Sequence, residues 1–217
     1  MTRLRKNKKY FSKTSWTSKK IHEEIEAGLS LLNKTENKIV TFFGSHKTRK
    51  ESHYYNHCRK VAYSLGKQGY AVISGGGPGI MQAANTGAMQ AKAISIGLKA
   101  DFLKGEKVDD DIFTHILTFH FMFVRRFILS IKSEALIFYP GGFGTLNELF
   151  EYAVLMQTGV VDKVPIILVD RQYWESLFKW LKAKPKKNNF FINTKKDLDL
   201  FYFADDLDEI LDIIKKR

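Results

Sequence analysis

Short apolar runs alternate with segments of helical periodicity along most of the chain. The runs predict strands, and residues that recur every three or four positions predict helices. The predicted strands are 39–43, 70–74, 93–98, 135–139, 164–169 and 200–203, with a short one near Ile116. The predicted helices are 21–32, 51–68, 80–91, 119–131, 145–157, 173–181 and 206–216. Such alternation indicates an α/β fold, a Rossmann-like three-layer αβα sandwich with a mainly parallel sheet.

Positive charge is concentrated at the start of the chain. The net charge is +12, and residues 1–20 contribute eight basic side chains and no acidic one, which leaves +4 for the remainder. We predict a basic flexible arm over 1–20 and a single Rossmann-like domain over 21–217. With Tyr10, Phe11 and Trp16, the arm could contact polyanions or pack in an oligomer. The ordinary charge of the remainder argues against a protein built to bind nucleic acid.

Composition also bears on the compartment. No apolar run approaches the roughly 18 residues that span a bilayer, so we predict no membrane segment. The single cysteine, Cys58, excludes an intramolecular disulfide and suits a reducing compartment. The first residues lack the pattern of a secretory signal. We therefore expect a cytoplasmic protein.

Three glycine-bearing loops directly follow predicted strands. They are Gly44-Ser45, Gly75–Gly79 and Gly141–Gly144. The carboxyl ends of parallel strands lie along one edge of the sheet, so these loops should meet there. Glycine lets a phosphate approach the backbone closely, and a following helix adds its positive end. None of the loops is a G-x-G-x-x-G dinucleotide fingerprint or a Walker loop. A phosphorylated ligand, and thus a nucleotide-binding domain, is the resulting prediction.

Residues 140–148, which read PGGFGTLNE, carry a more specific motif, P-G-G-x-G-T-x-x-E. Together with Gly75–Gly79, Met122–Arg126 and Gln157-Thr158-Gly159, this motif resembles the LOG ("lonely guy") proteins, which are often misnamed lysine decarboxylases. The resemblance covers about 39–181. It implies hydrolysis of the N-glycosidic bond of a nucleoside 5′-monophosphate, of the AMP or cytokinin riboside monophosphate type. The products would be the free base and ribose 5-phosphate, with no cofactor or metal required. It also implies a homodimer or a higher homo-oligomer.

The resemblance assigns roles to individual residues. Arg125 and Glu148 would be catalytic, the first orienting the nucleotide and the second acting beside the anomeric carbon. The residues expected to bind substrate are Ser45, Gly76, Gly77, Met122, Arg126, Gly141, Gly142, Phe143, Gly144 and Thr145. The Met-x-x-Arg-Lys segment of the family ends here in Arg126 instead of lysine, which keeps the charge but changes the geometry.

The same residues allow other interpretations. Thr145 and Glu148 have the spacing of a helix capping box, and an arginine at a helix edge is often an ion-pair partner. His53 and His57 beside Cys58 could hold a metal, but no further ligands are apparent. No lysine is singled out for a pyridoxal cofactor. Because one fold can host several functions, a non-catalytic carrier of a nucleotide or nucleotide-like cofactor is the alternative from another class. The preferred base stays open.

Overall fold

We describe a computed structural model of the chain over residues 12–101, 108–183 and 197–216. Most of the predicted arm lies outside these ranges.

Seven strands form one sheet in which every neighbouring pair is parallel. The sheet order is β4-β3-β2-β1-β5-β6-β7. The strands are β1 Ile39–Phe43, β2 Ala71–Ser74, β3 Ser95–Ala100, β4 His115–Phe119, β5 Ser133–Phe138, β6 Ile166–Val169 and β7 Phe201–Ala204. The predicted α/β fold is confirmed, and the described sheet is parallel throughout.

Helices cover both faces of the sheet. The described helices are α1 Thr14–Lys34, α2 His53–Lys67, α3 Ile80–Gln90, α4 Met122–Ser130, α5 Phe143–Gln157, α6 Arg171–Ala183 and α7 Leu207–Lys215. One apolar core packs α1, α4, α5 and α6 against the sheet. The other packs α2, α3 and α7. Within the described ranges, no helix is long and apolar enough to cross a membrane.

Helix α1 begins at Thr14, seven residues before its predicted start. Residues 14–20, which the charge pattern placed in the arm, therefore form the first two turns of a helix. The Trp16 ring packs edge-on against the His120 ring, with 5.2 Å between the ring centroids, and it also packs against Phe121. These contacts anchor the two turns. The division of the chain into an arm and a domain otherwise stays a prediction.

Glu24 of α1 is a buried acid that connects α1 to α4. Its side chain is 4% exposed, and its two oxygens accept the amides of His120 (2.7 Å) and Phe121 (3.2 Å). These amides directly precede α4, so the carboxylate satisfies donors that the helix itself leaves without partners. Glu24 lies three positions after Ile21 on the apolar face of α1, a signal that sequence reasoning missed.

Replacing Glu24 with alanine should destabilise the protein. One buried and one partly buried amide would lose a charged acceptor, so we expect the free energy of unfolding to fall by about 2–3 kcal/mol in urea denaturation. Glu23→Ala is the control, because Glu23 only pairs with Lys19 and Lys20 at the surface. It should cost less than about 0.5 kcal/mol. Equal losses for the two variants would contradict the capping role of Glu24.

Candidate active site

The three glycine-bearing loops meet at one edge of the sheet, beside β1, where the strand order reverses. The amide of Ser45, after β1, donates to the carbonyl of Pro140, after β5, over 3.1 Å. The Ser45 carbonyl accepts the amide of Ile80, at the start of α3, over 3.1 Å. In open α/β sheets, ligands bind at such a switch point. The predicted convergence of the loops is therefore confirmed.

Arg125 is a buried charged side chain at this edge, and it is only 5% exposed. Its side chain extends from α4. Its Nε donates to the carbonyl of Leu98 (2.6 Å), and its Nη2 donates to the carbonyl of Gly75 (3.0 Å). A methyl group on Gly75 would lie 2.0 Å from Nη2, so this position requires glycine for the guanidinium to fit. Arg125 thus joins α4 to strand β3 and to the loop after β2.

The glycine loop after β5 leads into an open helix terminus. Helix α5 begins at Phe143 after Gly142, and no side chain caps it. The space beside the Cα atoms of Gly142 and Gly144 is empty to 4 Å, and Phe143 is 93% exposed. Because the first amides of a helix have no partner within it, this terminus can accept an anion.

The capping-box interpretation of Thr145 and Glu148 is wrong. The helix starts two residues earlier than predicted, so Thr145 lies inside its first turn and does not precede it. The Thr145 side chain is buried against Gly141, where an added methyl would lie 2.1 Å from Thr145 Oγ1. Glu148 is therefore not a partner of the helix terminus.

Glu148 is a half-buried acid one and a half turns into α5. Burial raises its pKa to about 7, from an ordinary value of 4.5, although the charges of Arg125 and Arg126 act in the opposite direction. Glu151 adds a smaller upward effect on the pKa. Glu148 and Arg125, the two residues predicted to be catalytic, are thus brought into one electrostatic cluster. A carboxyl group with a pKa near 7 can exchange protons readily at neutral pH.

Arg126 and Met122 have local partners. Arg126 forms an ion pair with Glu151 of α5, as the ion-pair interpretation of a helix-edge arginine foresaw. Its own carbonyl accepts the hydroxyl of Tyr152 over 2.9 Å. The sulphur of Met122 lies 3.7 Å from Nη1 of Arg125. Both side chains therefore flank the Arg125–Glu148 cluster, and the pair with Glu151 engages only Nε of the Arg126 guanidinium.

Gly76 and Gly77 are buried in the loop after β2. The Gly76 amide donates to Oγ of Ser74 over 3.0 Å, and its φ of 67° explains the need for glycine. This amide is therefore not available to a phosphate in the conformation described. The competing acceptor is the side chain of a serine only two residues earlier, a local contact that sequence reasoning overlooked.

Three polar residues next to the glycine loop were missed. The Tyr173 hydroxyl donates to the carbonyl of Gly141 (2.6 Å), and the Tyr54 hydroxyl donates to Asp170. Only Asp170 carried a sequence signal, as a polar residue directly after a predicted strand.

The two histidines considered for a metal pack against each other. The His53 and His57 rings stack at 5.8 Å, and Nδ1 of His57 lies 2.9 Å from the Tyr139 hydroxyl. Among the described residues, no group of three acidic, histidine or cysteine side chains could hold a metal ion.

The sequence match to a known family covers more than half of the chain. The family described as "Possible lysine decarboxylase" matches residues 81–214, a range that includes both Arg125 and Glu148. The chain belongs to this family. It is the LOG family of the sequence resemblance, so that resemblance is confirmed.

Curated relatives in the LOG family carry a different activity in their names. A probable cytokinin riboside 5′-monophosphate phosphoribohydrolase of Oryza sativa subsp. japonica is 27% identical over 164 residues, which are 73% of this chain and 64% of the rice protein. A cytokinin riboside 5′-monophosphate phosphoribohydrolase of Mycobacterium tuberculosis is 29% identical over 126 residues, which are 57% of this chain and 67% of that protein. The match thus spans less than two thirds of the rice relative.

Solved structures share the fold of this LOG-family chain. The molybdenum cofactor binding protein of Rippkaea orientalis has a TM-score of 0.63 at 18% identity, covering 84% of this chain and 98% of that one. The molybdenum cofactor carrier protein of Chlamydomonas reinhardtii has a TM-score of 0.60 at 18% identity, covering 83% and 98%.

Proposed function

We propose that this protein hydrolyses the N-glycosidic bond of a nucleoside 5′-monophosphate. The observation that carries the proposal is the cluster that Glu148, one and a half turns into the uncapped helix α5, forms with Arg125 of α4. The names of the curated relatives in the LOG family support the same reaction class. The substrate would be AMP or a cytokinin riboside monophosphate, and the products would be a free base and ribose 5-phosphate.

The phosphate would bind where the glycine loop enters α5. Amides of the first turn and the positive end of the helix dipole favour an anion there. At about 1.5 Å of rise per residue, Glu148 lies roughly 7.5 Å along the helix from Phe143. That separation suits a nucleotide whose phosphate is at the terminus and whose anomeric carbon is near the carboxylate.

Glu148 would act in its ionised form. The carboxylate would orient the attacking water and accept its proton, while stabilising positive charge on the ribose. The oxygen of the water would form a bond to the anomeric carbon. The bond from this carbon to the base nitrogen would break, leaving its electron pair and then a proton on the base. Arg125 stays protonated throughout, so it would orient the nucleotide and not transfer a proton.

The experiment is incubation of the purified protein with AMP and with cytokinin riboside monophosphates. We expect free base and ribose 5-phosphate to accumulate in equal amounts, as followed by chromatography. The matching nucleosides serve as the control, because without a phosphate they should react much more slowly. Intact monophosphates for every base, with a folded protein, would reject the proposal.

A carrier function is the second candidate. It is favoured by the fold, which this chain shares with molybdenum cofactor binding and carrier proteins. Tight binding of a nucleotide or a nucleotide-like cofactor, without any release of base, would support this alternative. Assembly into at least a dimer and a cytoplasmic location are further parts of our proposal.

A further inference from the structure

The carbonyl of Gly141 is held by a side chain from another helix. Tyr173, in the first turn of α6, donates its hydroxyl to this carbonyl over 2.6 Å. The following residue, Gly142, has open space beside it and precedes the uncapped start of α5. The Tyr173 bond therefore restrains the glycine loop immediately before the first amides of α5.

This bond also determines where the next amide points. The oxygen of Gly141 and the N–H of Gly142 belong to one planar trans peptide, so they point in opposite directions. When Tyr173 fixes the oxygen, it also fixes the direction of the Gly142 N–H. Without the hydroxyl, this peptide could rotate. The Gly142 N–H would then no longer point in one fixed direction at the start of α5, where an anion can bind.

Tyr173 is itself fixed by Asp170. Its amide donates to Oδ1 of Asp170 over 3.1 Å, and the other oxygen of Asp170 accepts the Tyr54 hydroxyl. The hydrogen bond to Asp170, together with burial, raises the pKa of Tyr54 to about 12. Tyr54 therefore stays a donor at neutral pH. The three side chains connect α2, the end of β6 and α6 to the glycine loop.

Asp170 occupies an unusual backbone conformation. Its φ is 74°, in the left-handed region that non-glycine residues seldom adopt. Such strain persists only where the surroundings enforce it, and it concentrates at functional sites. Here the strained residue directly follows β6, at the same edge of the sheet as the glycine loops.

We infer that Tyr173, held by Asp170 and Tyr54, is a positioning residue that aims the amide of Gly142 at the 5′-phosphate of the ligand. The inference rests on the proposed function in one respect, since it requires a phosphorylated ligand at the glycine loop. It does not require that the ligand be hydrolysed.

The test measures binding of AMP and of adenosine by calorimetry in a Glu148→Gln background, where turnover should not interfere. Adding Tyr173→Phe removes only the hydroxyl, so the Kd for AMP should rise about tenfold, as expected for one weakened hydrogen bond to a charged group. The Kd for adenosine, which lacks the phosphate, should change less than twofold. The matched control is Tyr63→Phe on α2, an exposed tyrosine that should change neither Kd.

Asp170→Asn provides a second variant should Tyr173→Phe fail to fold. Asparagine tolerates a positive φ and keeps one oxygen acceptor, so we expect a loss of about threefold, again confined to AMP. Unchanged AMP binding, or equal losses for AMP and adenosine, would overturn the inference. A parent protein that prefers AMP to adenosine but never releases base would reject the proposed hydrolysis alone. If the parent shows no preference for AMP, both fail.

Discussion

Glu148→Gln is expected to lower the rate of base release about 10³-fold while leaving AMP binding nearly intact. Glutamine matches the shape of the side chain but cannot accept a proton from water. In the parent protein, kcat/KM should rise about tenfold per pH unit below pH 7 and level off above it, because the ionised carboxylate is the active form. Steady-state assays across this range measure both effects.

At alkaline pH, Glu148→Gln should be more stable than the parent protein. A loss of activity in this variant therefore cannot be attributed to a loss of folding. The folded state keeps the Glu148 proton up to about pH 7, whereas the unfolded chain releases it near 4.5. Ionisation therefore destabilises the parent progressively between these values. At pH 8, Glu148→Gln should be more stable by about 2 kcal/mol, after allowance for partial exposure, and at pH 4 the difference should vanish.

Glu151→Gln is the matched control on the same helix. Glu151 pairs with Arg126, so its replacement should bring no stability gain at pH 8 and less than about a tenfold loss of activity. If Glu148→Gln keeps full activity, or if both variants lose activity alike, Glu148 is not the proton acceptor.

Arg125→Lys is expected to remove most of the activity and to destabilise the fold. A lysine keeps the charge, but its single ammonium cannot reproduce the bonds from Nε and Nη2 to the carbonyls of Leu98 and Gly75. One buried acceptor would lose its donor, at about 2–3 kcal/mol in urea denaturation. Because nucleotide orientation also depends on the planar guanidinium, base release should fall about 10²-fold.

Arg126→Lys is the same substitution one position later. Arg126 pairs with Glu151 at a partly exposed position, and lysine can keep that pair, so the variant should lose less than about 1 kcal/mol. Similar losses for the two variants would show that the geometry of Arg125 has no special role.

The sequence predicted those features of the fold that depend on local pattern. Strand 39–43 is found with the predicted bounds, and the glycine loops meet because they follow strands that are parallel neighbours in the sheet. Local rules failed at Thr145, because α5 starts earlier than the capping pattern suggests. Contacts such as Tyr173 with Gly141, or Glu24 with the amide of His120, join residues 32 and 96 positions apart. Such pairings depend on tertiary packing, which no short motif records.

The bonds that tie the glycine loops together through Ser45 run between main-chain atoms. They use the amide and carbonyl of this residue, so most amino acids could replace serine without breaking them. Side chains at this edge can consequently change during evolution while the backbone of the three loops keeps its arrangement. Two chains could thus have few identical residues here and still offer a ligand the same backbone arrangement. Low sequence identity alone is therefore a poor measure of shared architecture in this region.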